Sequence, residues 1–176
     1  MRGAGPSKNE AVLVIGAGQP WRGDDGVGPA LVRELRLYFS EHPDLAQLRP
    51  RLEEANDGLV DFLESSSGYS KVILVDAVVT GSPPGTLHRW EVAQKPLPAS
   101  LRACSTHGFD LGGAIELYRA LNMLPRSLVI YGIEAGQFET GSDLSPAVKA
   151  AIPACQARLL EDLTLYSRQP SPPTLA

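Results

Sequence analysis

Three continuous apolar runs divide the chain, and stretches of helical periodicity lie between them. AVLVIG at 11–16, KVILV at 71–75 and LVIYG at 128–132 are short, unbroken and rich in β-branched residues. Such runs suit strands buried on both faces. Pro29 to Phe39 carries Ala30, Leu31, Leu35 and Tyr38 at helical spacing, with proline at a tolerated first position. Leu111–Leu121 repeats Leu111, Ile115, Leu117 and Leu121. Pro146 to about Tyr166 reads as a long final helix, which Pro153 should kink or interrupt. Weaker patterns add a short strand at Arg51–Ala55, a short helix at Leu59–Leu63 and a more exposed strand at Gly85–Glu91. Five strands alternating with helices predict an α/β fold. The expected form is a three-layer α/β/α sandwich around a twisted, mostly parallel five-stranded sheet.

Polarity at the ends sets the domain boundaries. Residues 1–10 are polar, and 168–176 (RQPSPPTLA) hold three prolines and little to bury. Both are expected to be disordered tails around a single domain at 11–167. The charge balance, 16 Lys and Arg against 20 Asp and Glu, gives no clustered basic excess for nucleic acid. No apolar run reaches the roughly 18–20 residues that span a bilayer. The first ten residues hold no apolar segment of a secretory signal. Two cysteines make no disulfide framework. A cytoplasmic protein, with neither membrane nor nucleic acid as partner, is the expectation.

In an open parallel sheet, ligands bind beyond the carboxyl ends of the strands. The first strand is followed by GAGQPWRGDDGVGP at 16–29, KVILV by Asp76, and the fourth strand by CSTHGFD at 104–110. Asp24, Asp25, Asp76 and His107 are thereby expected at one rim, on three separate connections. Carboxylates and an imidazole at one edge can hold a borderline divalent ion such as nickel or zinc, or serve as general acids and bases. Asp24, ahead of Asp25-Gly26, is read as a turn or cap residue. Asp25 and Asp76 are read as functional. Adjacent carboxylates repel, and a carboxylate closing an apolar strand is costly to bury without a purpose.

The remaining candidates read as structural. His42 in SEHPDL and His88 in GTLHRWE are expected at the surface. Cys104 and His107 make a lone C-x-x-H, half of a zinc motif. Cys155 is expected to be a core thiol. The glycine loop also invites a nucleotide- or dinucleotide-binding reading. Trp21 stands where that fingerprint needs glycine, and two aspartates occupy the place of a pyrophosphate.

Taken in order, GAGQPWRGDDGVGP, VILVDA at 72–77, PGT at 84–86 and STHG at 105–108 resemble the hydrogenase maturation proteases. The likeness runs from about residue 11 to about residue 165. It implies an antiparallel strand in the sheet near Thr86–Glu91. It implies an endopeptidase that removes the C-terminal extension of a nickel–iron hydrogenase large-subunit precursor after nickel insertion. Nickel in the precursor would be the recognition handle, with no organic cofactor. Residue by residue, the family's metal-contacting and catalytic positions fall on Asp25, Asp76 and His107, in a site open to solvent. Its substrate-binding positions fall on Gln19, where the family usually has Asn, on Asp57 and on Gly108. The alternatives left by the residues themselves are the nucleotide-binding protein and a non-catalytic metal-binding maturation chaperone.

Overall fold

The structure is a computed structural model and describes residues 11–55, 66, 68–92 and 111–168 of the chain. The sheet comprises β1 (Val12–Ala17), β2 (Arg51–Ala55), β3 (Lys71–Val78), β4 (Leu87–Glu91) and β5 (Ser127–Glu134). Its order is β2-β1-β3-β5-β4, with β4 antiparallel to β5 and every other pair parallel. The helices are α1 (Val27–Glu41), α2 (Leu111–Ala120) and α3 (Pro146–Arg168). Two 3-10 turns, at Gly23–Gly26 and Pro43–Leu48, complete the described elements.

Strand position follows polarity. β1, β3 and β5 are the three apolar runs and form the centre of the sheet, where alternate side chains face two different helical layers. On one face Val14, Ile73, Val75, Val129, Tyr131 and Ile133 pack against Leu31 and Leu35 of α1 and Cys155 and Leu159 of α3. On the other, Leu13, Ile15, Val72, Leu74, Leu128 and Ile130 pack with Ile115 of α2. Each such fully buried aliphatic side chain contributes about 1.5–3 kcal/mol of transfer free energy. The polar strands RLEEA and LHRWE form the two edges, where only one face needs apolar cover. The three-layer α/β/α sandwich and its antiparallel strand are as expected.

Three local expectations are corrected. α3 runs through Pro153 without interruption. Pro153 is exposed, and so is Lys149, whose carbonyl loses its hydrogen bond to the missing N–H; water can satisfy that group. The helix also continues to Arg168, one residue into the segment read as a tail. His42 is half-buried: it stacks on Tyr38 at 4.2 Å, with Nδ1 2.8 Å from the Tyr38 carbonyl. The helix read at Leu59–Leu63 and the two tails at 1–10 and 169–176 lie outside the described residues. Among the described residues, no helix is long and apolar enough to cross a membrane.

Network contacts tie the layers together. Arg89 of β4 makes a two-pronged pair with Asp162 of α3, at 3.0 and 3.1 Å, and the buried Tyr131 hydroxyl donates to the same carboxylate at 2.8 Å. On the opposite edge, Arg33 and Arg36 of α1 both reach Glu54 of β2.

Candidate active site

The carboxyl ends of β1 and β3 lie side by side, Gly16 being paired with Val75. Beyond them, the glycine loop must turn off β1 and start α1 within a few residues. Gly18 makes the turn at φ +122°, with its N–H on the Ala55 carbonyl at 3.1 Å. A side chain there would strike the Asp25 carbonyl at 1.9 Å. Gly28, in the first turn of α1, lies directly over the strand ends. A Cβ on it would sit 2.3 Å from the Ala17 carbonyl oxygen and 2.6 Å from that of Val75. These glycines are therefore needed for close backbone approach, which is what lowers the Gly23–Gly26 turn onto the rim.

That turn carries the two adjacent aspartates, both fully buried. Asp24 accepts three backbone N–H groups: Gly136 at 2.8 Å and Gln137 at 3.1 Å on Oδ2, and Ser145 at 2.6 Å on Oδ1. It clamps the connection between β5 and α3, a larger structural role than the turn or cap read from sequence. Asp25 takes the Gln19 backbone N–H on Oδ2 at 2.8 Å. Gln19 thus meets Asp25 through its main chain.

Asp76 lies near the end of β3 and is half-buried. Its carboxyl is pushed up to about 7, first by desolvation and then by the Asp25 carboxylate, against the lowering effect of the Ala77 N–H at 2.8 Å. The structure brings these two site candidates together. Asp76 keeps part of its surface exposed, whereas Asp25 is fully buried. His107, Asp57, Gly108 and Cys104 lie outside the described residues. Among the described residues, no group of three His, Cys, Asp or Glu side chains is placed to hold a metal. Asp25 and Asp76 are hard oxygen donors that fit a borderline divalent ion once an imidazole joins them.

Sequence reasoning missed a second carboxylate at the end of a central strand. Glu134 closes β5 and is buried. It accepts Thr80 N–H at 2.7 Å, Thr80 Oγ1 at 2.8 Å, Gly81 N–H at 2.9 Å and Ser82 N–H at 3.2 Å. Burial alone would raise its pKa, but the donors from Thr80, Gly81 and His88 outweigh it and hold the group below the usual carboxylate range. His88 is not the surface residue expected. Its Nε2 lies 3.2 Å from Glu134 and its ring stacks on Trp90 at 5.1 Å. The signal was available, since Glu134 follows LVIYGI as Asp76 follows KVILV. Glu134 fixes the turn just after the strand that bears Asp76. Cys155 is the expected core thiol, fully buried and pushed up to about 12 by desolvation.

A family model described as hydrogenase maturation protease matches residues 55–162, more than half of the chain. The chain belongs to the hydrogenase maturation protease family. It is therefore a peptidase, which removes the nucleotide-binding and chaperone alternatives. The matched span contains Asp57, Asp76, His107 and Gly108. Among relatives, the chain is 29% identical over 157 residues to coenzyme F420 hydrogenase subunit delta of Methanothermobacter thermautotrophicus, covering 86% of this chain and 94% of that one. Among solved structures, a hydrogenase 2 maturation peptidase from a Thaumarchaeota archaeon is 29% identical, with TM-score 0.59, over 88% of this chain and 99% of the other. The hydrogenase-maturating endopeptidase HybD of E. coli shares the fold at TM-score 0.68 and 22% identity, over 88% and 93% of the two chains.

Proposed function

We propose that this hydrogenase maturation protease removes the C-terminal extension of a nickel–iron hydrogenase large-subunit precursor. Nickel arrives with the precursor and is part of the substrate. Asp25, Asp76 and His107 complete its coordination, and the scissile bond is thereby held at the rim. Gln19, Asp57 and Gly108 line the path of the substrate chain. The observation that carries this reading is the convergence of Asp25, on the loop after β1, and Asp76, near the end of β3, so close that one carboxylate raises the proton affinity of the other. Paired carboxylates are costly to bury, and a divalent ion delivered by the substrate relieves the cost. With a cation held there, oxygen and nitrogen donors position a metal centre, and either carboxylate can take a proton from water. Incubating the protein with nickel-loaded precursor and weighing the products by mass spectrometry tests this. Loss of a C-terminal peptide is the expected result.

A further inference from the structure

We infer that Trp21 and Val79 form the apolar landing surface for the polypeptide substrate, and that they take a precursor segment carrying apolar side chains beside the cut. The inference rests on the proposed cleavage of a hydrogenase precursor.

Among the described residues, seven large apolar side chains stay exposed: Trp21, Leu37, Val79, Leu117, Leu121, Met123 and Leu165. Five of them lie on the helices or just after α2. Only Trp21 and Val79, 56% and 38% exposed, lie on connections that leave the carboxyl ends of strands. The first of these connections carries Asp25, and the second continues the strand that bears Asp76: Trp21 precedes Asp25 by four positions, and Val79 follows Asp76 by three.

Both are held on fixed backbone. The Trp21 carbonyl accepts the Gly141 N–H at 2.7 Å, Gly23 donates to the Ser142 carbonyl at 3.1 Å, and Asp24 clamps the same loop through three N–H groups. Val79 sits between Val78, whose carbonyl accepts the Ala135 N–H at 2.9 Å, and Thr80, whose N–H and hydroxyl are bound by Glu134. An exposed indole on a rigid loop loses little freedom on binding. Tryptophan is accordingly enriched among the residues that dominate protein interfaces.

Steady-state cleavage of nickel-loaded precursor decides the matter. Trp21→Ala should raise KM about tenfold or more, with the smaller part of the loss in kcat, because the indole binds substrate and takes no part in the chemistry. Trp21→Phe should restore most of the affinity, and Val79→Ser should show a smaller rise in KM. Leu165→Ala, an equally exposed residue on α3, should leave KM at the wild-type value. A Trp21→Ala protein whose KM matches wild type would overturn the inference while leaving the peptidase reading intact. Absence of cleavage by the wild-type protein in the same assay would remove the underlying reading, and this one with it.

Discussion

Asp24 and Asp25 are neighbours in one 3-10 turn, yet their carboxylates serve different connections. Asp24 holds three N–H groups of the segment between β5 and α3, while Asp25 takes the Gln19 N–H and faces the charge of Asp76. The two substitutions should therefore separate stability from activity. Asp24→Ala leaves three donors without their charged acceptor and should cost on the order of 3 kcal/mol in denaturant unfolding. Asp25→Asn keeps an acceptor for Gln19 and removes a repulsive charge, so it should unfold no more easily than wild type. It should lower precursor cleavage by about 100-fold or more. Comparable destabilisation by both would count against this division.

Asp76 carries a pH signature. Its pKa in the fold stands at about 7, above the ordinary carboxylate value of 3.8. The folded state therefore holds that proton more tightly than the unfolded chain does. The stability this gives is complete below the unfolded pKa and is lost as pH rises through about 7. Asp76→Asn removes the dependence. Relative to wild type, the variant should gain stability with rising pH by about 1 kcal/mol per unit across that window. Urea unfolding of both proteins on either side of the window measures it; parallel pH profiles would show that Asp76 is not perturbed. The same substitution should abolish processing, whereas Cys104→Ala should process normally, separating the carboxylates from a cysteine nucleophile.

Gly28 supports the site from below. Its missing side chain lets the start of α1 rest on the Ala17 and Val75 carbonyls, both backbone groups that cannot rotate away. Gly28→Ala should push the Gly23–Gly26 turn off the rim, costing about 1–3 kcal/mol in stability. Activity should fall further than stability, because a displacement of a fraction of an ångström parts Asp25 from Asp76. Thermal melting alongside the cleavage assay checks both.

The centre of the sheet was legible because burial on both faces demands unbroken apolar runs, and VLVIG, KVILV and LVIYG are unmistakable in that respect. The edges were only faintly legible, since RLEEA and LHRWE need cover on one side alone. The rim followed from topology: any polar residue directly after a central strand must appear there, which located Asp25 and Asp76. Glu134 obeys the same rule, but the apolar run LVIYG stops at Gly132, two residues before the strand does. His88 was misread because its neighbours in sequence are polar, while its burial is set by Glu134 and Trp90 across and along the sheet. The Asp24 clamp joins residues more than 110 positions apart, and no local pattern reveals such a pairing.

Engagement of substrate-borne nickel by Asp25 and Asp76 is the proposal on which the mechanism turns. The most direct measurement compares cleavage of nickel-loaded and nickel-free precursor by the same protein preparation, followed by mass spectrometry. Release of the C-terminal peptide is expected from the nickel-loaded form only, with no rescue of the nickel-free form by enzyme pre-incubated with nickel and then freed of excess ion. Efficient cleavage of the nickel-free precursor in the presence of a strong chelator would contradict it.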